Sequence, residues 1–359
     1  MVNKLVLTLI ATAGLSLAGC NASNTNEKSD ALASTSDPLI LAAREQFQPL
    51  PERPGKVAGV TSTPELVALG TALYFDPRLS ASHTIACAGC HNMGLGGGDA
   101  RSTSLGHRWQ HGGRNAPTVL NAVYNTAQFW DGRAKDLTEQ AGGPISNPIE
   151  MAMPAEQVIP TLKSIAGYAD LFAKAFPGDK DPIRAANVQT AIATYEATLV
   201  TPNAPFDRFL RGDSKALGET ERRGLKSFMD NGCAACHGGV NMGGAMYARF
   251  GIASAPPADL LPPGDLGRFA ITKDEADRYA YKVPTLRNIA LTAPYFHTGK
   301  VWNLDEAVAV MARNQLGKTL SQREIADVVA FLQTLTGDQP KTSVPVLPPV
   351  TGTSARPVD

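Results

Sequence analysis

A five-residue word, Cys-x-x-Cys-His, occurs twice in this chain and constrains its fold more than any other feature. It stands as CAGCH at residues 87–91 and as CAACH at residues 233–237. Two thiols followed directly by a histidine are typical of covalent c-type haem attachment, in which the thiols add to the porphyrin vinyl groups and the histidine ligates the iron. A zinc site would combine both cysteine pairs, and a redox dithiol would not need the histidine. We therefore expect two haem c groups, bound through Cys87, Cys90 and His91, and through Cys233, Cys236 and His237.

A second repeated block follows each haem-binding word. The stretch APTVLNAVYNTAQFWDGR, residues 116–133, aligns without a gap with VPTLRNIALTAPYFHTGK, residues 283–300. The shared positions are Pro117 and Pro284, Thr118 and Thr285, Asn121 and Asn288, Phe129 and Phe296, and Gly132 and Gly299. A block that recurs beside each attachment site indicates an internal repeat. The chain is therefore predicted to contain two cytochrome c-like haem domains, residues 46–204 and 205–338.

Helical patterns surround these motifs. Apolar periodicity and helix caps predict four helices, beginning at Pro64, near residue 181, at Glu219, and after the capping box of Ser321 and Glu324. The stretches 92–118 and 238–283 are rich in glycine and proline and are predicted to be long loops that wrap the haems. We expect a mainly α fold with long loops and little β structure.

Both ends of the chain differ from the predicted domains. Residues 1–19 carry Lys4, an apolar stretch and small residues, the pattern of a signal peptide. The letters LAGC that end at Cys20 resemble a bacterial lipobox, so we expect lipid on Cys20 and a polar tether over residues 20–45; an ordinary signal peptide with an incidental cysteine is the alternative. The proline-rich residues 339–359 are predicted to be a disordered tail. Covalent haem attachment and the signal peptide both indicate a location outside the bacterial cytoplasm.

Composition limits the partners. The chain has 33 basic and 33 acidic residues and a formal net charge of zero, which gives no argument for nucleic acid binding. Its interior has no run of about twenty apolar residues, so membrane contact is expected only through the lipid anchor.

The sixth ligand of each iron decides between electron transfer and chemistry. For the second haem the later methionines are Met242, Met246 and Met311, and Met311 is the candidate because it lies on a segment that returns to the haem. A methionine at helical spacing is otherwise a core residue. The first domain has no equivalent methionine; its candidates are His107 and His111, in a glycine-rich loop. Either histidine could instead be an unliganded surface residue.

In several long sequence segments the chain resembles the bacterial di-haem cytochrome c peroxidases. They include RNAPTVLN, FWDGRAKDL, EQAGGPISNPIEM, GCAACHGG and VPTLRNIALTAPYFHTG. The resemblance runs from LGTALYF to FLQTLTG, roughly 270 of the 359 residues. It implies reduction of hydrogen peroxide to water by a homodimer, with electrons from a small cytochrome c or a blue copper protein.

The resemblance also implies roles for individual residues. The His91 haem would be the low-potential, peroxidatic group, with His107 as a distal ligand that is displaced on activation. The haem ligated by His237 and Met311 would be the high-potential electron donor. Glu150 and Gln140 would flank the peroxide, and Trp130 would lie on the electron path between the haems. A calcium ion would be held by the Asn115 side chain and the backbone carbonyls of Thr292 and Pro294.

The residues themselves support a catalytic carboxylate, since cleavage of peroxide needs a group that removes one proton and returns it to the leaving oxygen. Glu150 follows a Gly-Pro loop that could close over the haem; a surface acid at a helix start is the alternative. Two other functions compete with the peroxidase. A di-haem electron carrier would keep both irons six-coordinate. A related di-haem family oxidises an amino-acid precursor on a partner protein, but has tyrosine where this chain offers Met311.

Overall fold

Helices dominate the computed structural model, which describes residues 32–53 and 55–358. Two three-residue strands, β1 (Tyr247–Arg249) and β2 (Ala280–Lys282), pair antiparallel in the one sheet of the described residues. The mainly α fold is therefore confirmed. The α-helices in those residues are α1 (Pro38–Arg44), α2 (Pro64–Phe75), α3 (Cys87–Cys90), α4 (Leu137–Ser146), α5 (Ala155–Lys163), α6 (Ala166–Ala175), α7 (Ala185–Glu196), α8 (Pro205–Arg211), α9 (Glu219–Asp230), α10 (Phe269–Thr272), α11 (Leu304–Val310) and α12 (Gln322–Gln333).

The predicted helix starts follow from their caps. The Thr63 side chain accepts a hydrogen bond from the Leu66 amide at 3.1 Å, and α2 begins at the next residue, a proline. The capping box predicted for α12 is present. Helix α7 begins at residue 185, later than predicted, because the Asp179 carboxylate binds Arg184 at 3.0 Å and fixes the preceding segment as a turn.

Each haem-binding word is preceded by a helix that crosses the last helix of its repeat. Helix α2 crosses α7 at Gly70, where an added Cβ would overlap the Ala191 carbonyl oxygen. Helix α9 crosses α12 at Gly224, where an added Cβ would overlap the Asp327 carbonyl oxygen. Only glycine lets two backbones approach this closely. The same crossing, used twice, places each attachment site against one pair of packed helices.

The repeated blocks 116–133 and 283–300 adopt matching backbones. Asn121 and Asn288 both have φ 61°, and Phe129 and Phe296 have φ 67° and 66°. Residues other than glycine rarely adopt this left-handed conformation. Its recurrence at equivalent positions confirms the internal repeat predicted from the sequence.

Two helical cores form on either side of residue 205. The first is built from residues between 66 and 199, and the second from residues 40–47 and residues between 206 and 335. Helix α1 thus contributes Ile40 and Ala43 to the second core. This differs from the polar tether predicted for residues 20–45, because the apolar face of α1 has a core to pack against.

Residues 339–358 form no helix or strand, make a turn at 352–354, and contact the first core. Leu347 packs against that core, and the Pro348 carbonyl accepts a hydrogen bond from Arg78 Nη1 at 2.7 Å. The Val358 amide donates to the Ala81 carbonyl at 2.9 Å. This ordered course differs from the disordered tail predicted for residues 339–359, since prolines restrict the chain and nearby polar groups satisfy its backbone.

The predicted signal peptide, residues 1–19, and the predicted lipid site at Cys20 lie outside the described residues. In the part of the chain that the structure describes, no helix combines the length and apolar character needed to cross a bilayer.

Candidate haem centres

The second haem-binding word forms the wall of a large cavity. Gly232, at φ 91°, ends α9 and turns the chain into a 3-10 turn over Cys233–Ala235. Both thiols of the word are free, and His237 is buried. The His237 Nδ1 lies 3.4 Å from the Met242 carbonyl oxygen, so Nδ1 faces the backbone and Nε2 is left for a metal.

This C-terminal cavity has a volume of about 240 Å³. Cys233, Cys236 and His237 line it together with Met311. Its apolar lining includes Phe228, Leu286, Ile289, Val328 and Leu332. Two free thiols, an imidazole nitrogen and a thioether around one apolar space fit haem c.

Met311 reaches the cavity from an irregular helical segment. Helix α11 ends at Val310, and residues Met311–Gln315 continue it as a π-helical turn. Such turns often occur at functional sites. The other sequence candidates differ: Met242 is fully buried in the second core, and Met246 is 39% exposed. Of these three methionines, the structure brings Met311 to the lining of the His237 cavity.

The first haem-binding word forms the short helix α3, and its two thiols are also free. The His91 Nδ1 lies 3.3 Å from the Gly97 carbonyl oxygen, and the His91 carbonyl accepts a hydrogen bond from Tyr74 at 2.7 Å. Burial, with the nearby Glu196 carboxyl, raises the pKa of the Cys87 thiol to about 12. The word is thus held in the same way in both repeats, which fits a second covalent haem.

His107 is the histidine that the structure leaves available for the first iron. Its ring is buried, and its Nδ1 has no hydrogen-bond partner in the described residues. The alternative candidate, His111, is exposed, and its Nδ1 lies 3.3 Å from the Thr103 hydroxyl. A buried imidazole nitrogen without a partner is costly unless a ligand or metal satisfies it. This contrast favours His107 over His111.

The loop that carries His107 packs directly on Glu150. The His107 amide donates to the Glu150 carbonyl at 2.7 Å, and a Cβ at Gly106 would overlap the Ile149 carbonyl. Arg108 and Trp109 follow with φ 52° and 63°, and the Trp109 side chain is 82% exposed. Two successive non-glycine residues in the left-handed region store backbone strain beside the candidate ligand.

A second cavity, of about 230 Å³, contains the Glu150 side chain. Asn147 Nδ2 donates to Glu150 Oε1 at 2.8 Å. Burial raises the pKa of the Glu150 carboxyl, and the Arg133 charge and the Asn147 hydrogen bond oppose that rise. The residues that line this cavity are Phe129, Arg133, Ala134, Glu139, Gly143, Pro144, Asn147 and Glu150.

Burial is the main cause that raises the pKa of both Cys87 and Cys90, and the Glu150 charge adds to that rise, so Glu150 acts electrostatically on the first haem-binding word. Sequence reasoning missed Asn147 and Arg133; the spacing of Asn147 three residues before Glu150 was the available signal. The predicted partner Gln140 is half-buried on α4 and is not among the residues that line the Glu150 cavity.

Trp130 lies between the two repeats. Its Nε1 donates to the Asn115 carbonyl at 2.9 Å, and its ring meets His297 edge-on, with centroids 6.0 Å apart. Trp130 and His297, which occupy equivalent positions in the two repeats, both line the C-terminal cavity. The tryptophan of the first repeat thus contacts the binding site of the second.

The residues predicted to hold calcium lie along the same cavity, which Asn115, Thr292 and Pro294 all line. The Asn115 backbone amide donates to the His297 carbonyl at 2.7 Å, and the Asn115 side-chain Nδ2 donates to the Arg101 carbonyl at 2.7 Å. Among residues 32–53 and 55–358, no group of three His, Cys, Asp or Glu side chains could hold a metal ion. A site built from one amide and backbone carbonyls would carry little charge.

Comparisons with known proteins agree with this arrangement. The profile of the di-haem cytochrome c peroxidase family matches residues 64–215, and the cytochrome c profile matches residues 221–336. Cytochrome c551 peroxidase of Pseudomonas aeruginosa is 52% identical over 90% of this chain and 93% of its own. The enzyme of the same name from Nitrosomonas europaea is 47% identical over 86% of this chain and 90% of its own.

A solved structure of a MauG-like protein associated with microbial copper homeostasis has a TM-score of 0.71 and 28% identity, and the match covers 80% of this chain and 95% of that one. The chain also has two haem-binding words in matching frames, a half-buried carboxyl at Glu150 and a methionine, Met311, in the wall of the His237 cavity. The chain belongs to the di-haem cytochrome c peroxidase family.

Proposed function

We propose that this peroxidase reduces hydrogen peroxide to two waters at its N-terminal centre, with two electrons from a small c-type cytochrome or a blue copper protein. The reaction consumes two protons and two electrons for each peroxide. The observation that carries this proposal is the pairing of Glu150, half-buried in its own cavity, with the buried His107, which has no partner for its Nδ1. The backbone hydrogen bond from His107 to Glu150 supports a shared role for the two residues, as a displaceable ligand and a proton-moving group.

The haems, once attached, supply the iron redox chemistry for reduction of the O–O bond. Cys87, Cys90 and His91 would hold the first. Glu150 accepts a proton from one peroxide oxygen and returns it to the oxygen that leaves as water. Asn147 holds the carboxylate in place through its 2.8 Å hydrogen bond to Oε1.

Gln140 is proposed as a second polar group beside the peroxide, supported by its place on α4, one turn before Pro144 in the cavity wall. The side chain is half-buried rather than solvent-exposed. A neutral amide can donate and accept hydrogen bonds without competing with Glu150 for the proton.

His107 acts as the gate of the N-terminal centre. In the oxidised enzyme its imidazole would occupy the site that peroxide needs, and it would leave that site when the other haem is reduced. Its place on a strained loop supports this role, because the left-handed residues Arg108 and Trp109 lower the cost of rearranging that loop. The backbone bond from His107 to Glu150 would link the gate to the catalytic carboxyl.

At the C-terminal centre, His237 and Met311 would be the residues that hold the iron, supported by their common cavity wall. A thioether ligand favours ferrous iron and raises the potential, so Met311 would suit this centre to receive electrons from the donor protein. Trp130 lies on the path toward the first haem, supported by its contact with His297 and its place in the cavity wall.

Calcium, oligomeric state and localisation complete the proposal. Calcium would bind the Asn115 side chain and the carbonyls of Thr292 and Pro294, supported by their common cavity wall. The enzyme would act as a homodimer in the periplasm, tethered by lipid on Cys20. The lipid anchor is proposed from the sequence pattern at Cys20, and the homodimer is proposed from the family resemblance.

The competing functions fit less well. An electron carrier would have no use for the cavity around Glu150. The related di-haem enzymes that oxidise a partner protein would need a tyrosine at the C-terminal iron, where this chain has Met311.

Substitution of Glu150 tests the proposal. Glu150→Gln should lower peroxide turnover by about 100-fold or more, since general acid–base groups typically contribute that much. Both haem spectra should stay unchanged. The control is Glu139→Gln, which alters a second carboxyl of the same cavity that is exposed and accepts from the Lys135 amide at 2.9 Å. It should retain turnover. Full activity of Glu150→Gln would remove Glu150 from the mechanism and with it the proposed site.

A further inference from the structure

A buried ammonium group faces the C-terminal cavity. Lys282 ends strand β2, is only 6% exposed, and lines the space shared by His237 and Met311. Within the described residues its Nζ makes no hydrogen bond and no ion pair. Lysine is almost never buried to this degree without a partner.

The cost of this arrangement is clear from a comparison within the chain. Arg287, also fully buried, pairs with Asp207 at 2.6 Å and donates to two backbone carbonyls. Lys282 has no such carboxylate, and burial lowers its pKa to about 8. A buried charge without a counter-charge is strongly unfavourable. The residue therefore requires an anion that the described protein does not supply.

Backbone contacts fix where the lysine lies. The Lys282 backbone amide donates to the Trp130 carbonyl at 2.7 Å, and Lys282 pairs with Tyr247 in the two-stranded sheet of β1 and β2. The next residue back, Tyr281, stacks on His297 with centroids 4.1 Å apart. The lysine is thus held in the wall of the cavity that Trp130 also lines, and its side chain faces that cavity.

Haem c carries two anions of the required kind. Its propionate carboxylates lie on the porphyrin edge opposite the vinyl carbons to which the cysteines attach. Cys233 packs against the helical second core, whereas Lys282 lies on strand β2, whose backbone is bonded to Trp130. A haem attached at Cys233 and Cys236 would therefore have its propionates on the side away from that core, which is the side of Lys282.

We propose that Lys282 forms a buried ion pair with a propionate of the haem attached at Cys233 and Cys236, and that its charge raises the reduction potential of this haem. The inference rests on the proposed role of the His237/Met311 centre as the high-potential site. A nearby cation disfavours the ferric state, which carries one more positive charge than the ferrous state, and so favours reduction.

The test is a spectroelectrochemical titration of both haems in Lys282→Met. At a fixed applied potential, the ferrous-to-ferric ratio of the His237 haem should fall about tenfold, which equals a decrease of about 59 mV for one electron. Lys282→Arg should keep the wild-type potential. The control is Lys318→Met, which removes an exposed ammonium at the same cavity that donates to the Asn231 carbonyl at 3.1 Å. Solvent screens that charge, so its effect should be less than about twofold.

An unchanged potential in fully haem-loaded Lys282→Met would overturn the proposal, as would a shift confined to the His91 haem. Lys282→Gln is the second neutral variant. If neither neutral variant binds haem, infrared redox-difference spectra of wild type and Lys282→Arg test the ion pair. The propionate carboxylate bands of the two proteins should differ in position, and identical bands would overturn the ion pair.

Peroxide turnover is measured in the same samples. Turnover without a potential shift rejects only the lysine pair, whereas wild type without turnover rejects the proposed function.

Discussion

The side-chain amides of Asn121 and Asn288 donate to the same oxygen, Thr201 Oγ1, both at a distance of 2.8 Å. These asparagines occupy equivalent positions in the two repeats. Asn121 Oδ1 also accepts the Thr201 amide at 2.9 Å, and Thr201 is fully buried. One hydroxyl at the boundary between the two cores therefore satisfies both copies of the repeated block. The relative placement of the two haem-binding words depends on this junction.

Removal of that hydroxyl should destabilise the whole protein. Thr201→Val keeps the shape of the side chain but leaves two buried amide groups without an acceptor, at a cost of roughly 1–3 kcal/mol for each unsatisfied group. Thr201→Ser keeps the hydroxyl and should lose about 1 kcal/mol or less. Chemical denaturation of the haem-loaded proteins measures both. Equal stability of Thr201→Val and wild type would show that the bridge contributes nothing.

The buried pair of Arg287 and Asp207 makes a second prediction. Both side chains are fully buried, and Asp207 also accepts the Leu50 amide at 3.0 Å. Arg287→Met should lower the free energy of unfolding by about 3–5 kcal/mol, because it leaves an uncompensated buried carboxylate. The matched control is Arg223→Met, which removes a partly exposed pair with Asp327 and should have a much smaller effect, because solvent screens that pair. Similar losses in the two variants would contradict this account.

Part of the fold could be read directly from local sequence. Helix α2 and helix α12 begin where Thr63 and the pair Ser321 and Glu324 predict, because a cap acts within four residues. The repeat was visible because matching positions such as Asn121 and Asn288 keep the same residue, and the left-handed backbone at these positions is one that asparagine tolerates well. Local patterns of this kind need no knowledge of the tertiary structure.

Other features were out of reach because they depend on contacts between distant segments. The packing of α1 into the second core needs residues more than 150 positions away. The polarity of residues 21–37 suggested a continuous tether, yet α1 begins at Pro38. Likewise, neither the bond from Trp130 to Asn115 nor the burial of Lys282 follows from composition or spacing.

The candidate site divides in the same way. The haem-binding words identify both attachment sites from a five-residue pattern. The choice between His107 and His111 needed the structure, because only burial and hydrogen bonding distinguish them. Asn147 was missed since an asparagine before a proline is also typical of an ordinary turn.

The Asn147 hydrogen bond should set the acid limb of the pH–rate profile. Burial raises the pKa of Glu150, and the Asn147 donor opposes that rise. Asn147→Ala removes the donor, so the pKa rises further and less carboxylate is present at a given acidic pH. The acid limb of turnover should therefore shift to higher pH. Asn187→Ala, which removes an amide-to-carboxylate bond at Asp179, serves as the control. An unmoved acid limb in Asn147→Ala would show that this bond does not tune Glu150.

The sixth ligand of the C-terminal haem can be identified through the reduction potential of that haem. Met311→His replaces the thioether by an imidazole and should lower the potential of the C-terminal haem. Met246→His, at an exposed position, should leave the potential unchanged. Potentiometric titration followed by absorbance measures both haems separately. A wild-type potential in Met311→His would mean that another residue ligates this iron.

The central claim is that the two haems have unequal roles and that His107 gates the first. It is tested most directly by peroxide turnover of the fully oxidised and the half-reduced enzyme, with the spin state of the His91 haem recorded at each level. We predict turnover only after half-reduction, together with a change of that haem from low spin to high spin. Equal turnover in both states would contradict the gate. No turnover in either state, with both haems low-spin, would contradict the peroxidase account itself.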